Sequence, residues 1–195
     1  MGRKISGKPI YGTGTNDGKY PSWENNASTK CYELWVKMLC RCVKKDKKHI
    51  AYHAATCSDN FKSYSFFYEW CQEQIGFNQE DFHLDKDVLI KGNKLYSEDT
   101  CVFIPKELNL LLTKCDRSRG IYPVGVTVRK GRFRARLSVN HKEISAGYFD
   151  NAQDAFYAYK AAKEAHIKAT VEKYKDVIDP RSYQALLNYT VEITD

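Results

Sequence analysis

The clearest hydrophobic pattern in the chain is a strict alternation at residues 132–139, which read R-F-R-A-R-L-S-V. Successive side chains of a β-strand point to opposite faces of the sheet, so this stretch predicts a strand with one arginine face and one apolar face. β-Prone runs lie on either side, V-G-V-T-V-R at 124–129 and I-S-A-G-Y-F at 144–149. Together the three runs predict a three-stranded antiparallel meander.

A helical pattern follows the meander directly. Asp150 or Asn151 is expected to cap a helix from residue 152, because these side chains accept hydrogen bonds from the first-turn N–H groups. The apolar stripe of this helix consists of Ala152, Ala155, Phe156, Tyr159, Ala162, Ala165 and Ile167. A sheet packed on a single helix buries one face, so the apolar side of residues 132–139 should lie against the helix and the arginine side should stay open.

The N-terminal half carries different patterns. Residues 30–42 have apolar side chains at helical spacing behind Ser28 and Thr29, which are N-cap residue types. Residues 61–77 are rich in aromatic side chains and predict a second helix that ends near Gly76. The first 27 residues show neither helical nor strand periodicity, and we expect an arm or loop there.

Residues 83–113 predict strand, turn, strand and helix in that order. Lys91-Gly92-Asn93 has the composition of a hairpin turn, and Pro105 can open the helix because proline is tolerated in a first helical turn. The fold class is therefore α+β. The expected divisions are a basic flexible arm or loop at 1–27, a mixed module at 28–115, the sheet and helix at 116–175, and a tail at 176–195 that packs back.

The net charge of +7 is concentrated in one segment. Residues 116–175 contain thirteen Lys and Arg against six Asp and Glu, while the remaining residues contain eighteen of each. A localised basic excess is typical of a polyanion-binding surface, because cationic side chains that contact phosphates release condensed counterions. A solvated basic surface is the alternative.

The sequence argues against several classes of protein. No apolar run approaches the ~18 residues that span a bilayer, and no apolar segment follows the basic N-terminus as in a secretory signal. We expect a cytosolic protein with no membrane partner. There is no P-loop, G-x-G-x-x-G or G-x-S-x-G motif, and no small-molecule substrate is predicted. Cysteine and histidine cluster at residues 40–57, but the C-x-C spacing does not fit a structural zinc site.

The segment Y-P-V-G-V-T-V-R-K-G-R-F-R-A-R-L-S-V, followed by I-S-A-G-Y-F-D-N-A-Q-D-A-F-Y-A-Y-K-A-A-K, resembles the ethylene-response-factor (Apetala-two) DNA-binding domain over about sixty residues. The resemblance implies that the sheet lies in the major groove of double-stranded DNA. It departs from the family pattern at Val124, where the family has an arginine, and at Ser145, where it has a tryptophan. The predicted DNA-binding residues are Thr127, Arg129, Arg132, Arg134, Arg136, Ser138 and Lys142.

The stretch L-D-K-D-V-L-I-K-G-N-K-L-Y-S-E-D-T-C-V-F-I-P-K-E-L-N resembles the HNH endonuclease motif of phage and mobile-element proteins, and the likeness extends over residues 30–114. It implies a ββα-metal (His-Me finger) module that binds Mg²⁺ or Mn²⁺, in a host-cell cytosol if a phage encodes it. On this resemblance Asp85 stands at the metal aspartate, Lys86 at the general-base histidine, Asn93 in the hairpin and Thr100 at the metal asparagine. An HNH module followed by such a DNA-binding domain is typical of homing-type endonucleases.

The altered positions leave the chemistry open. An ammonium group is a poor base near neutral pH, and threonine is a weaker metal ligand than asparagine. By the period of a strand, however, His83, Asp85 and Asp87 share one face, so His83 could be the base while the two carboxylates hold Mg²⁺. The sequence therefore predicts either a metal-dependent DNA endonuclease or nickase, or a DNA-binding regulator that does not cleave. An interaction or inhibitor protein that uses the aromatic N-terminal module, with another protein or a second copy of the chain as its partner, is a third alternative.

Overall fold

The structure is a computed structural model that describes residues 8–44, 52–113, 121–139, 142–193 and 195. The chain divides into two compact units. The first unit consists of Met1–Pro105 with Val177–Ser182, and the second consists of Lys106–Asp176 with Tyr183–Asp195. Helices and strands occur in both units, so the α+β class is confirmed. None of the helices in the described ranges combines the length and hydropathy that crossing a membrane requires.

Two helices form the centre of the first unit. Helix α1 spans Lys30–Val43, and its predicted cap is confirmed because the Thr29 hydroxyl accepts from the Tyr32 N–H at 3.3 Å. Helix α2 spans Tyr64–Glu73 and is shorter than predicted, since a 3₁₀ turn at Asn60–Lys62 precedes it and Ser63 caps it. The core between them is mainly aromatic and includes Trp35, Phe61, Tyr64, Phe67, Trp70 and Phe103.

The strands of the first unit are short and pair in three small sheets. β1 (Trp23–Glu24) pairs with β2 (Ala27–Ser28), and β3 (Thr56–Cys57) runs parallel to β5 (Leu95–Tyr96). β4 (Phe82–Asp85) pairs antiparallel with β6 (Val102–Pro105). The prediction of a hairpin around Lys91-Gly92-Asn93 is therefore wrong. A turn does form there, with the Asn93 N–H donating to the Ile90 carbonyl at 3.0 Å, but the flanking strands pair elsewhere.

Of residues 1–27, predicted as an arm or loop, residues 8–22 form a loop that packs on α1 and α2, and the short hairpin of β1 and β2 follows. The backbone of Thr15 pairs with the chain at Ser63, and the Tyr20 ring stacks on Tyr68 with centroids 4.1 Å apart. At Gly14, an added Cβ would lie 2.2 Å from Leu39 Cδ1, so only glycine fits this close approach to the core. The loop thus covers one side of the aromatic cluster.

The second unit begins with α3 (Lys106–Leu112) and contains the predicted meander, β7 (Val126–Arg129), β8 (Arg132–Val139) and β9 (Lys142–Phe149). Helix α4 spans Ala152–Glu172, and the side chain of Asn151 accepts from the Asp154 N–H at 2.8 Å. This confirms a cap at the predicted position. Helix α5 spans Pro180–Leu187, and its residues from Tyr183 onward belong to the second unit. The buried residues between sheet and helix are Val126, Ala135, Leu137, Ala155, Phe156, Tyr159 and Val191.

Candidate nucleic-acid interface and candidate metal centre

The predicted division of β8 into two faces is confirmed. Ala135 and Leu137 are buried in the core formed with α4, and Phe133 packs at its edge. Because side chains alternate along a strand, the residues between them point away from the helix. The four even-numbered side chains from Arg132 to Ser138 therefore occupy the uncovered face of the sheet.

A β-bulge in β9 decides which of its residues join this face. Tyr148 is opposite Arg134 and Ser145 is opposite Arg136, so Ala146 is an extra residue in β9. The extra residue reverses the alternation, which places Glu143, Ser145 and Tyr148 on the same face. Simple alternation in the sequence separates Tyr148 from the other two. Sequence reasoning missed all three residues, and Gly147 with φ +129° is the only local sign of the irregularity.

An acidic residue sits among the arginines. One carboxylate oxygen of Glu143 lies 2.6 Å from Arg134 Nη1, and the other lies 2.5 Å from Arg136 Nη1. Arg134 also donates from Nε to the Ser145 hydroxyl at 3.3 Å. The guanidinium groups of Arg136 and Arg134 lower the pKa of Glu143. Its ionised carboxylate thus bridges the two arginines at the centre of the face.

The end of the β7–β8 hairpin forms a depression of about 410 Å³ lined by Arg129, Lys130, Arg132 and Tyr148. Three cationic groups and a phenol surround it. Arg132 also contacts Asp150, with NH2 and Oδ1 3.1 Å apart, but both side chains are largely exposed, so this pair contributes little to stability. Such a depression has the charge and hydrogen-bond donors that a phosphate group requires.

Three of the other predicted contact residues, Thr127, Arg129 and Ser138, also border this face. Thr127 pairs with Arg134 across the β7–β8 ladder, and Arg129 pairs with Arg132. Ser138 is opposite Glu143, whereas Lys142, the exposed first residue of β9, pairs with Val139 and so lies on the apolar side of the alternation. The structure therefore brings the residues predicted to bind DNA to one sheet and adds an acidic member that the prediction lacked.

The candidate metal residues lie at the end of β4. Asp85 is the last residue of this strand, and its Oδ1 accepts from the N–H groups of Asp87 and Val88 at 2.9 and 2.8 Å. Burial, together with the negative charge of Asp87, raises the pKa of Asp85 to about 6. The two carboxyl groups are close enough to hydrogen-bond to each other. His83, two residues earlier on β4, is exposed.

Lys86, predicted at the general-base position, is a buried structural cation. Its Nζ lies 3.1 Å from Asp87 Oδ2, donates to the Asn93 carbonyl at 2.8 Å and lies 5.7 Å from the centre of the Tyr96 ring. An ammonium group has no lone pair with which to take a proton from water, and this one is held by three partners. Its position matches a role in holding the loop that follows β4.

Asn93 and Thr100 are also engaged in the loop. The Asn93 amide donates to the carbonyls of Lys86 and Leu95 at 2.6 and 2.7 Å and accepts from the Leu95 N–H. The Thr100 hydroxyl donates to the Leu95 carbonyl at 2.8 Å and pairs with Ser97. Asp85 and Asp87 are the two side chains of this region that could hold a cation. Within the described ranges, no group of three or more His, Cys, Asp and Glu side chains is placed to hold a metal.

The cysteine and histidine cluster considered for zinc is only partly within the described residues, since His49 lies outside them. A hydrogen bond from Cys42 lowers the pKa of the Cys57 thiol. Cys40 interacts instead with Tyr11, whose pKa is raised by this hydrogen bond.

Comparisons of the chain with protein-family models, with curated proteins and with solved structures returned no match.

Proposed function

We propose that this chain binds double-stranded DNA through the uncovered face of β7–β9, and that this binding is directed to a sequence or site. The observation that carries the proposal is the row of arginines on a sheet face that α4 leaves open, within the segment that holds the whole excess of positive charge. A sheet of this kind can enter the major groove, where guanidinium forks reach guanine O6 and N7 or phosphate oxygens.

The charge and shape of the face support this proposal over a solvated basic surface. Arg134 has only 15% of its side chain exposed and is held by Glu143, so its fork is ordered before any ligand arrives. Ordered side chains lose less conformational entropy on binding than free ones. At the hairpin end, the depression beside Arg129 and Tyr148 offers a separate place for a backbone phosphate. The face thus combines fixed guanidinium groups with a cationic depression, which is the combination that both reads bases and fixes register.

Removing Arg136 is expected to weaken DNA binding about 5- to 100-fold, because a lost arginine contact to a base or phosphate costs about 1–3 kcal/mol. Fluorescence anisotropy with a labelled 24-bp duplex, at several salt concentrations, measures both the affinity of Arg136→Ala and its salt dependence. The slope of log affinity against log salt should become flatter by about 1.

The matched control is Lys168→Ala, which removes the same charge from an exposed position on α4. It should leave the affinity within about twofold, since only a non-specific charge effect remains. Equal losses in Arg136→Ala and Lys168→Ala would show that the sheet face has no particular role.

For the first unit, we propose a role in folding and DNA docking without cleavage. Lys86, Asn93 and Thr100 all hold the loop after β4 through hydrogen bonds within the chain. Metal-dependent cleavage is the second candidate, and a specific contact favours it. The carboxyl groups of Asp85 and Asp87 lie together with a raised pKa at Asp85, and a divalent cation would relieve their repulsion.

A plasmid assay separates these two candidates. Supercoiled plasmid incubated with the protein and Mg²⁺ or Mn²⁺ should stay supercoiled. Nicked product that requires the metal and disappears in Asp85→Asn would instead establish the endonuclease or nickase. Asp81→Asn is the matched control, because Asp81 is exposed in the same segment and its φ of +57° suits asparagine.

A further inference from the structure

Glu143 is an unexpected residue on a surface proposed to meet a polyanion. It is exposed on the uncovered face. Its negative charge repels any backbone phosphate that approaches it. The pairing of β9 with β8 places Glu143 on this face, since Val139 is opposite Lys142 and Ser138 is opposite Glu143, and the bulge at Ala146 then adds Tyr148 to the same face. This acidic side chain therefore has a fixed place in the sheet: it lies opposite Ser138, at the end of the arginine row, and contacts Arg136 and Arg134.

The ion pairs of Glu143 have two consequences for any ligand of this face. Each carboxylate oxygen holds one guanidinium group, at 2.6 Å for Arg134 and 2.5 Å for Arg136, so both forks are fixed in direction. Both forks also have part of their charge neutralised by the single carboxylate. A ligand that offers only phosphate charge gains less from such arginines than from free ones, because it must compete with Glu143.

A base pair in the major groove can compensate for this competition. Cytosine presents its N4 amino group as a donor, and a carboxylate accepts from it. Adenine also presents an amino group, but the neighbouring N7 is an acceptor that repels a carboxylate. Guanine and thymine present acceptors near the same place in the groove, which arginine forks recognise and a carboxylate opposes. In the triad of Arg134, Glu143 and Arg136, one guanidinium group that can donate to guanine thus lies on each side of a carboxylate that can accept from cytosine.

We propose that Glu143 is the selectivity residue of this face: it lowers the affinity for DNA in general and selects a cytosine beside guanine in the major groove. The inference rests on the proposed function, because it concerns the same surface. Glu143 acts in two ways, by positioning Arg134 and Arg136 and by accepting a hydrogen bond from the cytosine amino group. Both effects depend on its negative charge and not on its volume.

The first test measures the affinity for random-sequence 24-bp duplexes. Glu143→Gln keeps the size of the side chain and removes its charge, and it should bind these duplexes about tenfold more tightly, with a salt slope steeper by about 1. Glu172→Gln removes the same charge from an exposed position on α4 and should change the affinity less than twofold. A gain no larger in Glu143→Gln than in Glu172→Gln would overturn the inference.

The second test selects tight binders from a pool of randomised duplexes and sequences them. The wild type should enrich cytosine at one position next to a guanine, and Glu143→Ala should lose the preference at that position while the guanine preference declines less. Enrichment that is the same in both proteins would overturn the cytosine contact. If neither the wild type nor Glu143→Gln retains any duplex, the proposed function itself fails. If the wild type binds DNA and the Glu143 variants bind it in the same way, only the role of Glu143 is refuted.

Discussion

Gly125→Ala is expected to destabilise the second unit, with a loss of about 2–5 kcal/mol in the free energy of unfolding. Gly125 has φ +74° and is the third residue of a turn in which the Val126 N–H donates to the Pro123 carbonyl at 3.1 Å. A turn of this kind needs a positive φ at its third residue, where any side chain costs about 1–2 kcal/mol.

The larger part of the loss comes from the packing of Tyr159. A Cβ at Gly125 would lie 2.2 Å from Cγ and Cδ2 of the Tyr159 ring, and the ring is itself buried between β7 and α4. Overpacking of this kind costs about 1–3 kcal/mol even after the neighbours shift. The Gly125 carbonyl also accepts from the Arg136 N–H at 2.8 Å, so a shift of the turn disturbs the strand that carries the arginines.

Chemical denaturation followed by far-UV circular dichroism measures this loss. Gly131→Ala is the matched control, because Gly131 has a similar φ of +76° but an added Cβ there meets nothing within 4 Å. It should cost only the conformational part, about 1–2 kcal/mol. Equal losses at Gly125 and Gly131 would contradict the role assigned to Tyr159. DNA affinity of Gly125→Ala should fall in proportion to the unfolded fraction.

The second unit was predictable because its elements are specified locally. Because one face of the sheet must be buried, the alternation along β8 decides which of its residues face the helix. The two-residue turn Lys130-Gly131 fixes the register of β8 with β7. The Asn151 cap is an equally local signal. The alternation in β9 does not reveal the extra residue Ala146. A bulge exchanges the two faces for the residues beyond it, and the composition of the strand gives no sign of this. The shared position of Tyr148 and Glu143 on the arginine face was therefore out of reach of the sequence pattern.

The first unit was less predictable because its strand pairing is non-local. The residues around Lys91-Gly92-Asn93 form the turn that their composition favours, yet β5 pairs with β3, nearly forty residues earlier. β6, rather than β5, pairs with β4, and all four residues of β6 are buried. Burial of this strand in the core outweighs the local preference for a hairpin. Likewise, the sequence places Lys86 between two aspartates but does not show that its ammonium is buried against Asn93 and Tyr96.

Asp85→Asn is expected to stabilise the protein at pH 8 by about 1–3 kcal/mol and to have almost no effect at pH 4. The pKa of Asp85 is raised to about 6, mainly by burial and then by the charge of Asp87, whereas the unfolded chain has the ordinary value of 3.8. At pH values between these two pKa values, the folded state therefore keeps the Asp85 proton that the unfolded chain has released. Stability falls as the pH rises through this window, and the full cost of about two pKa units, near 1.4 kcal/mol each, is present above pH 6.

Asparagine removes this cost without removing the contacts. Its Oδ1 can still accept from the N–H groups of Asp87 and Val88, which hold the start of the loop. Urea denaturation at pH 4 and pH 8 measures the difference. Asp59→Asn is the control of opposite sign, because Lys62 lowers the pKa of this exposed carboxylate, so its loss should weaken the fold slightly at pH 8. A gain in Asp85→Asn that is the same at both pH values would contradict the assignment of the cost to ionisation.

The same variant tests the second candidate function without a cleavage assay. A cation that binds only the folded protein raises its stability by an amount that grows with the logarithm of its concentration. If Asp85 and Asp87 hold Mg²⁺, the metal should raise the thermal midpoint of the wild type at pH 8 and leave Asp85→Asn unchanged. Without such a site, the two proteins should respond to Mg²⁺ equally. Because the ammonium of Lys86 is already an ion-pair partner of Asp87 at 3.1 Å, we expect the equal response.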